Sequence, residues 1–251
     1  MAHALVSTAG RTAGLAAGLG LGALFGALAV LRRGRPLHAR GVTLRASLRC
    51  DGSGRSGVPL LDDAGACEVT VRVSRAAGLP AWLPDVYGLA LRLPGPSAGE
   101  GAPADLLFAS TGDSGLGRFA LLVHSQLTDG PLTTLLPVRS PAGPLVLRLA
   151  TLPGASEREV GPSLCVPERL SLSYAVGTGP WVAVGEVSLA EGVEGEDDQR
   201  RHDPVVHRLP GTSQYPVVRA LREPAYAAAR LQEVEGGQTR VRGVTERHST
   251  R

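Results

Sequence analysis

After Gly41, apolar and polar residues alternate in short runs that Gly and Pro residues interrupt. Alternation with a period of two is typical of half-buried strands, because successive side chains point to opposite faces. Runs of this kind predict eight strands: Val42–Leu48, Glu68–Ser74, Val86–Leu93, Asp105–Ser110, Phe119–Val123, Leu145–Ala150, Leu170–Tyr174 and Trp181–Leu189. Short strands at this spacing indicate an antiparallel sandwich or barrel.

Two other segments have helical patterns. Residues 13–31 carry no charge and are long enough to span a hydrocarbon core of about 30 Å. Near the other end, Pro224 suits a first helical turn, the residues after it are strong helix formers, and Gly236 and Gly237 stop the helix. The chain therefore divides into a hydrophobic helix (1–33), a mainly β domain with short helices (34–235) and a tail expected to be disordered (236–251), which makes the fold class α+β.

The charges that flank residues 13–31 favour a membrane anchor. An arginine cluster, Arg32, Arg33 and Arg35, follows the apolar run directly and places the domain on the cytoplasmic face of the cell membrane. A glycine at every fourth position from Gly10 to Gly26 favours close packing against another helix, so a homo-oligomer is one expected arrangement. A cleaved signal peptide is less favoured, because no A-x-A site follows. A soluble Gly/Ala-rich helix packed on the domain remains the alternative.

Composition narrows the class of function. The net charge is +3, all 26 basic residues are arginine, and aromatic residues make up 4% of the chain. Without a basic stripe interleaved with aromatic residues, nucleic-acid binding is not expected. Three cysteines without C-x-x-C spacing favour neither a zinc site nor a disulfide framework, so we expect reduced thiols in a cytosolic compartment.

Most familiar catalytic motifs are missing from the sequence. No G-x-S-x-G elbow, Walker loop or H-E-x-x-H motif occurs in it. The pair His202–Asp203 has no second His/Asp element at metal-ligand spacing. A phosphodiester hydrolase is therefore the weakest of the functions considered.

Four stretches occur in an order that is more specific. They are RPLHARG (35–41), VRVSRAAG (71–78), PDVYGLALRL (84–93) and DLLFAST (105–111). This order resembles the heme catalase superfamily, which carries R-x-x-H-A-x-G, V-R-F-S-T-x-x-G, D-x-R-G-x-A-x-[KR]-[FL] and D-L-x-x-N-N-T. A weaker resemblance extends over residues 202–231. The resemblance implies a catalase-like antiparallel β-barrel and heme as the cofactor.

The resemblance also implies a catalytic face above the heme. His38 matches the histidine that shuttles the peroxide proton as general acid and base. Ser74 matches the serine that bonds the other nitrogen of this histidine and fixes its orientation. Ser110 falls at the position of the asparagine that helps to position peroxide; this chain contains no asparagine at all.

Four further residues match those that hold the heme itself. Arg35 and Arg72 match the arginines that pair with the heme propionates, a task suited to the planar guanidinium fork. Tyr226 matches the tyrosinate that ligates the iron, and Arg222 precedes it by one helical turn, where it would lower the pKa of the tyrosine. The segment around Tyr226 also matches a stretch that precedes the ligand helix in the family, and Glu233 stands where another heme-contacting arginine is found.

These matches lead to one expected function and one alternative. The expected function is that of a divergent catalase-like heme-binding protein, with peroxidase-like or residual catalase-like activity on hydrogen peroxide or an organic peroxide. The alternative is a degenerate module without heme, which binds a small apolar ligand or a partner at the membrane.

Overall fold

A computed structural model describes residues 41–76, 82–95, 102–160, 164–190 and 202–220. The predicted N-terminal helix, the helix predicted after Pro224 and the tail lie outside these ranges. Within them, no helix has both the length and the apolar character needed to span a bilayer.

The described residues are mostly strands. The strands are β1 (Gly41–Asp51), β2 (Ala64–Arg75), β3 (Tyr87–Leu93), β4 (Ala104–Ser110), β5 (Leu132–Thr133), β6 (Val138–Ser140), β7 (Gly143–Thr151), β8 (Glu157–Glu159), β9 (Cys165–Pro167), β10 (Arg169–Val176), β11 (Val182–Leu189) and β12 (Ser213–Gln214). One short helix, α1 (Pro59–Asp62), follows β1, and 3-10 turns cover Gly117–Phe119 and Leu127–Asp129.

Eight of these strands close into an antiparallel barrel. The order round the barrel is β1-β2-β3-β4-β5-β7-β10-β11, and β11 pairs with β1 to complete the ring. Strands β6 and β12 extend the sheet beside β7, and β8 pairs with β9 in a separate small sheet. The predicted mainly antiparallel, catalase-like barrel is therefore confirmed.

The barrel interior is the hydrophobic core, and strand alternation fills it. Val71 and Val73 of β2 are almost fully buried, whereas Arg72 between them lies on the outer face. The residues that pair with the two valines, Leu44 on β1 and Leu91 on β3 among them, also point inwards. Burial of such side chains is the main stabilising contribution, at about 25 cal/mol per Å² of apolar surface.

The strands are steeply tilted, as closure of a barrel requires. If one follows the paired residues from strand to strand round the barrel, starting at Gly41, the path does not return to Gly41. It reaches Ala183 on β11, and because Gly185 pairs with Cys50, the path meets β1 again beyond Cys50. The path runs through Ser74, Gly88, Ala109, Thr133, Arg148, Ser173 and Ala183. The tilt brings the β10–β11 turn against the connection after β4, where Trp181 Nε1 donates to the Asp113 carbonyl at 2.8 Å.

One predicted strand, Phe119–Val123, is wrong. Phe119 closes a 3-10 turn, and Leu121 forms only an isolated bridge with Thr111. Leu122 and Val123 are exposed, so the apolar run has no sheet face to cover. The pairing partner that β4 takes at its end is instead the two-residue strand β5.

Candidate functional site

One end of the barrel collects the ends of four consecutive strands. Here β1 begins, β2 ends, β3 begins and β4 ends. Gly41 pairs with Ser74, Ser74 with Gly88, and Gly88 with Ala109, so these residues form a row across the sheet. We call this the Gly41 end of the barrel. Two of the predicted site residues, Arg72 and Ser74, lie on its outer face.

The outer face at this end is built from small residues with one arginine laid over them. Gly41, Gly88, Ala90 and Ala109 share the face with Ser74. The guanidinium of Arg72 lies so close to Gly41 that a Cβ added there would stand 2.8 Å from Arg72 Cζ. Such a Cβ would also stand 2.8 Å from the Val73 carbonyl oxygen, a backbone atom that cannot move aside as a side chain can, so position 41 needs glycine.

Ser74 is buried in this face, with a long hydrogen bond across the strand pair. Its side chain is buried, and its hydroxyl donates to the Gly88 carbonyl across the strand pair at 3.4 Å. A hydroxyl oxygen can accept hydrogen bonds as well as donate one. This geometry suits a residue that orients a neighbouring side chain.

Ser110 lies at the same end but faces the other way. Like Phe108, two residues before it on β4, Ser110 points into the barrel, and its side chain is completely buried. Its hydroxyl donates to the Leu122 carbonyl at 2.6 Å and accepts from the Tyr87 N–H at 3.1 Å. These bonds join β3, β4 and the segment that follows residue 119, so the side chain of Ser110 is engaged on the side of the sheet opposite Ser74.

The remaining predicted site residues, Arg35, His38, Arg222 and Tyr226, lie outside the described residues. In the sequence, His38 precedes Gly41 by three positions, and Gly41 pairs directly with Ser74.

A polar cluster at the Gly41 end was not predicted. Tyr87 occupies the position of the arginine in the D-x-R-G motif of the family. Its hydroxyl donates to the Ser125 carbonyl at 2.9 Å, and the guanidinium of Arg75 lies 5.8 Å from the centre of its ring. Burial raises the pKa of Tyr87, although the positive charge of Arg75 opposes this. Arg75 also stands 3.7 Å from the buried carboxylate of Asp85. The only residue of this cluster that the sequence motifs indicated is Asp85, the aspartate of the stretch PDVYGLALRL.

His124 adjoins this cluster. It exchanges two backbone hydrogen bonds with Asp85, both 2.9 Å long. Its ring packs against Gly130, and burial lowers its pKa despite the nearby carboxylate of Asp129. The Nδ1 atom is buried and accepts no hydrogen bond from the described residues. His124 is therefore a partly buried ring beside the Gly41 end of the barrel, with its neutral form favoured by burial.

A second polar network surrounds Asp105, which is fully buried at the beginning of β4. Arg92 donates two hydrogen bonds to its carboxylate, at 2.7 and 2.8 Å, and His207 Nδ1 lies 2.8 Å from it. The N–H of Asp203 donates to the same carboxylate at 2.8 Å. Burial alone would raise the pKa of Asp105, but these bonds outweigh it and hold the pKa below its usual range. The network fastens the segment 202–209 to the barrel.

The pair His202–Asp203 has a structural explanation at its aspartate. The Asp203 carboxylate accepts the N–H groups of Val205 and Val206 and so closes a turn. Within the described ranges, no group of three or more His, Cys, Asp or Glu residues is arranged to hold a metal ion. A metal-dependent phosphodiester hydrolase gains no support from this geometry.

A third cluster stands on the side of the barrel. The ring of Trp181 has the guanidinium of Arg118 at 4.1 Å and that of Arg148 at 4.8 Å from its centre. Arg148 also pairs with Asp113 at 2.7 Å. Burial lowers the pKa of Arg118, and the charge of Arg148 adds to this. The cluster fastens the long connection after β4 to the β10–β11 turn.

The described residues can be compared with what one side of a heme would need. A flat macrocycle needs a surface without protruding side chains. The outermost row of this face, Gly41, Ser74, Gly88 and Ala109, has only small side chains, and the next row carries Thr43, Arg72, Ala90 and Leu107. The guanidinium of Arg72 lies over Gly41 in this face, and a guanidinium is the group that pairs best with a carboxylate. The residues predicted for the iron side, Arg222 and Tyr226, lie outside the described ranges.

Comparisons with known proteins show the fold. No protein-family model and no curated protein matches the chain. Among solved structures, a fungal catalase matches with a TM-score of 0.57 at 15% identity, over 82% of this chain and 61% of the catalase. Catalase A from Saccharomyces cerevisiae matches with a TM-score of 0.57 at 12% identity, over 82% and 63% of the two chains.

A bacterial catalase matches with a TM-score of 0.52 at 14% identity, over 83% of this chain and 59% of the other. The chain thus spans about three fifths of the length of the catalases that it matches. At these identities the likeness shows a catalase-like fold, and function has to be argued from the site.

Proposed function

We propose that this chain is a divergent catalase-like heme-binding protein, with peroxidase-like or residual catalase-like activity on hydrogen peroxide or an organic peroxide. One observation supports the proposal: Gly41, the last residue of the R-x-x-H-A-x-G stretch, pairs with Ser74 of the V-R-x-S stretch. Each of the four motif stretches contributes a residue to the row of Gly41, Ser74, Gly88 and Ala109 at this end of the barrel, as a shared site requires.

The chain's own residues have distinct roles in this proposal. His38 acts as general base and then as general acid on the peroxide proton, a task for which an imidazole titrating near neutral pH is suited. Ser74 is a positioning residue, whose hydroxyl fixes the ring of His38. Arg35 and Arg72 bind the heme propionates, and the heme when bound supplies the redox centre.

Ser110 and the residues of the iron side remain predictions. Ser110 stands at the position of the distal asparagine, and its hydroxyl proton is taken by the Leu122 carbonyl. Its contribution here is to keep the end of β4 in place. Tyr226, with Arg222 one turn before it, is proposed as the iron ligand.

Reconstitution tests the proposal. The full chain, purified with added hemin, should show a Soret band and consume peroxide. His38→Ala should keep the band and lose about 10²–10⁴-fold in turnover, the usual contribution of general acid–base catalysis. Tyr226→Phe should shift or abolish the band.

Two serine variants separate positioning from stability. Ser74→Ala should lower kcat and move its pH profile, because the ring of His38 loses an orienting partner. Ser171→Ala is the matched control, since Ser171 lies on the outer face of β10, away from the Gly41 end. The absence of a Soret band would refute the proposal in favour of the heme-free alternative. Turnover that is insensitive to His38→Ala, or a band that is insensitive to Tyr226→Phe, would refute the roles given to these residues.

We further propose that residues 13–31 anchor the chain in a membrane, with the barrel on the cytoplasmic face. Support comes from the uncharged run and the arginine cluster that follows it. The full-length chain should sediment with membranes and resist extraction by alkaline carbonate. Release into the carbonate supernatant would contradict the anchor. Cross-linking in the same membranes would test the homo-oligomer expected from the glycine stripe.

A further inference from the structure

Three large apolar side chains are exposed at the Gly41 end of the barrel. Trp82, in the connection between β2 and β3, is 79% exposed, Val123 is 65% exposed and Leu122 is 45% exposed. The bridge between Asp85 and His124 joins the two connections that carry them. We call these three residues the apolar rim.

The backbone under two rim residues is fixed, so their exposure is a feature of the fold. The N–H of Leu122 donates to the Ser110 carbonyl at 2.9 Å, and its carbonyl accepts the Ser110 hydroxyl. Directly after Val123, His124 exchanges two bonds with Asp85. Apolar side chains that the fold holds towards solvent, close together, mark an interaction surface rather than packing that has failed.

The course of the chain indicates what covers this surface. The strand β1 begins at this end, so the segment before Gly41 enters the barrel beside the rim. The uncharged run ends at Leu31, and the residues between it and Gly41 span at most about 32 Å when fully extended. If the run lies in a bilayer, this end of the barrel is the end held closest to the membrane.

The chemistry of the rim and of the linker fits a lipid surface. Tryptophan prefers the interface of a bilayer, where its ring meets the acyl chains and its N–H meets water. The linker contributes arginines, Arg32, Arg33 and Arg35 among them, and each basic residue close to an anionic leaflet is attracted to it.

We propose that the apolar rim is a lipid-docking surface, which seats the Gly41 end of the barrel on the membrane that holds residues 13–31. The proposal rests on the membrane anchor proposed above and is independent of heme and of peroxide turnover. It gives the barrel a fixed orientation, with the face that carries Ser74 adjoining the bilayer surface.

Tryptophan emission tests this orientation, because the chain has only two tryptophans. The full chain is reconstituted in vesicles of phosphatidylcholine and phosphatidylglycerol, with or without bromine on the upper acyl carbons. In Trp181→Phe, the remaining Trp82 should emit at shorter wavelength in vesicles than in detergent-free buffer and lose most of its intensity to the brominated lipid. In Trp82→Phe, the remaining Trp181 should be unaffected by bromine.

A second variant shows whether the rim itself makes the contact. Leu122→Ser combined with Val123→Ser should reduce the quenching of Trp82, while sedimentation with vesicles continues through the anchor. Unchanged quenching in this double variant would overturn the proposal. So would a shielded but unquenched Trp82, which would mean that protein covers the rim. Failure of the full chain to enter vesicles would overturn the anchor and the docking together, whereas a missing Soret band would leave both intact.

Discussion

The Asp105 network allows a quantitative test of how burial changes the contribution of an ion pair. The change is Asp105→Asn, which keeps the shape of the side chain and removes its charge. The carboxylate is fully buried, and the Arg92 side chain that it neutralises is 19% exposed. Removing one partner of a buried pair costs about 3–5 kcal/mol, because the other charge is left uncompensated. Since Arg92 retains some hydration, we expect a loss of about 3 kcal/mol.

A second arginine–carboxylate pair of the same geometry provides the control. Arg169 donates to Glu186 with bonds of 2.6 and 2.8 Å, almost the same as those between Arg92 and Asp105. The two side chains are 57% and 30% exposed, so water screens the pair. Glu186→Gln should therefore cost about 1 kcal/mol or less.

Urea unfolding followed by circular dichroism distinguishes these expectations. With a slope of about 3 kcal/mol per M, Asp105→Asn should lower the midpoint by roughly 1 M, and Glu186→Gln by roughly 0.3 M or less. Equal shifts in the two variants would refute the reasoning, because geometry rather than burial would then determine the contribution of each pair.

Three further expectations concern titration, thiols and packing. The pKa of Asp105 is lower in the folded protein than in the unfolded chain, so its contribution to the free energy of unfolding is complete above about pH 4 and is lost as the pH falls through the folded pKa. The urea midpoints of the wild type and Asp105→Asn should therefore converge in acid. Burial raises the pKa of Cys50 to about 11, so at pH 8 a disulfide reagent should modify the exposed Cys165 first and leave Cys50 until the protein unfolds. Thermal denaturation of Leu149→Ala should show a loss of about 2–5 kcal/mol, because its side chain is fully buried, whereas Val182→Ala on the surface should change stability by about 0.5 kcal/mol or less.

The long barrel strands could be predicted from the sequence because each carries several alternations. The prediction Val42–Leu48 lies inside β1, and Leu170–Tyr174 lies inside β10. The strands β5 and β6 were missed because two or three residues contain no period. The backbone between them turns at Leu135, which has a positive φ of 59°, a conformation that the sequence does not indicate for leucine.

The failure at Phe119–Val123 has a different origin. The run is apolar, but apolar character predicts burial only if a partner surface exists. Leu122 and Val123 remain outside because their backbone is recruited by Ser110 and Asp85 at the end of the barrel. Only the tertiary pairing decides this, so periodicity within the segment could not have shown it.

The candidate site was predictable in the same partial way. The alternation of β2 separates Arg72 and Ser74 from the core valines, and the sequence alone reveals this. The grouping of Tyr87, Arg75 and His124 depends on contacts between residues far apart in the sequence. Such contacts follow from register and closure, which local patterns do not encode.

The pairing that closes the barrel also has a consequence for how the chain acquires its structure. Among the strands of the described residues β1 is synthesised first, yet one of its edges is completed only by β11, about 140 residues later. Until then β1 presents open N–H and C=O groups that can pair with another chain. Pairing of two strands so far apart in the sequence is slow, because the intervening chain loses conformational entropy before the contacts that compensate this loss have formed. We therefore expect folding to be limited by this last seam, and nascent chains to be most prone to aggregation just before β11 emerges.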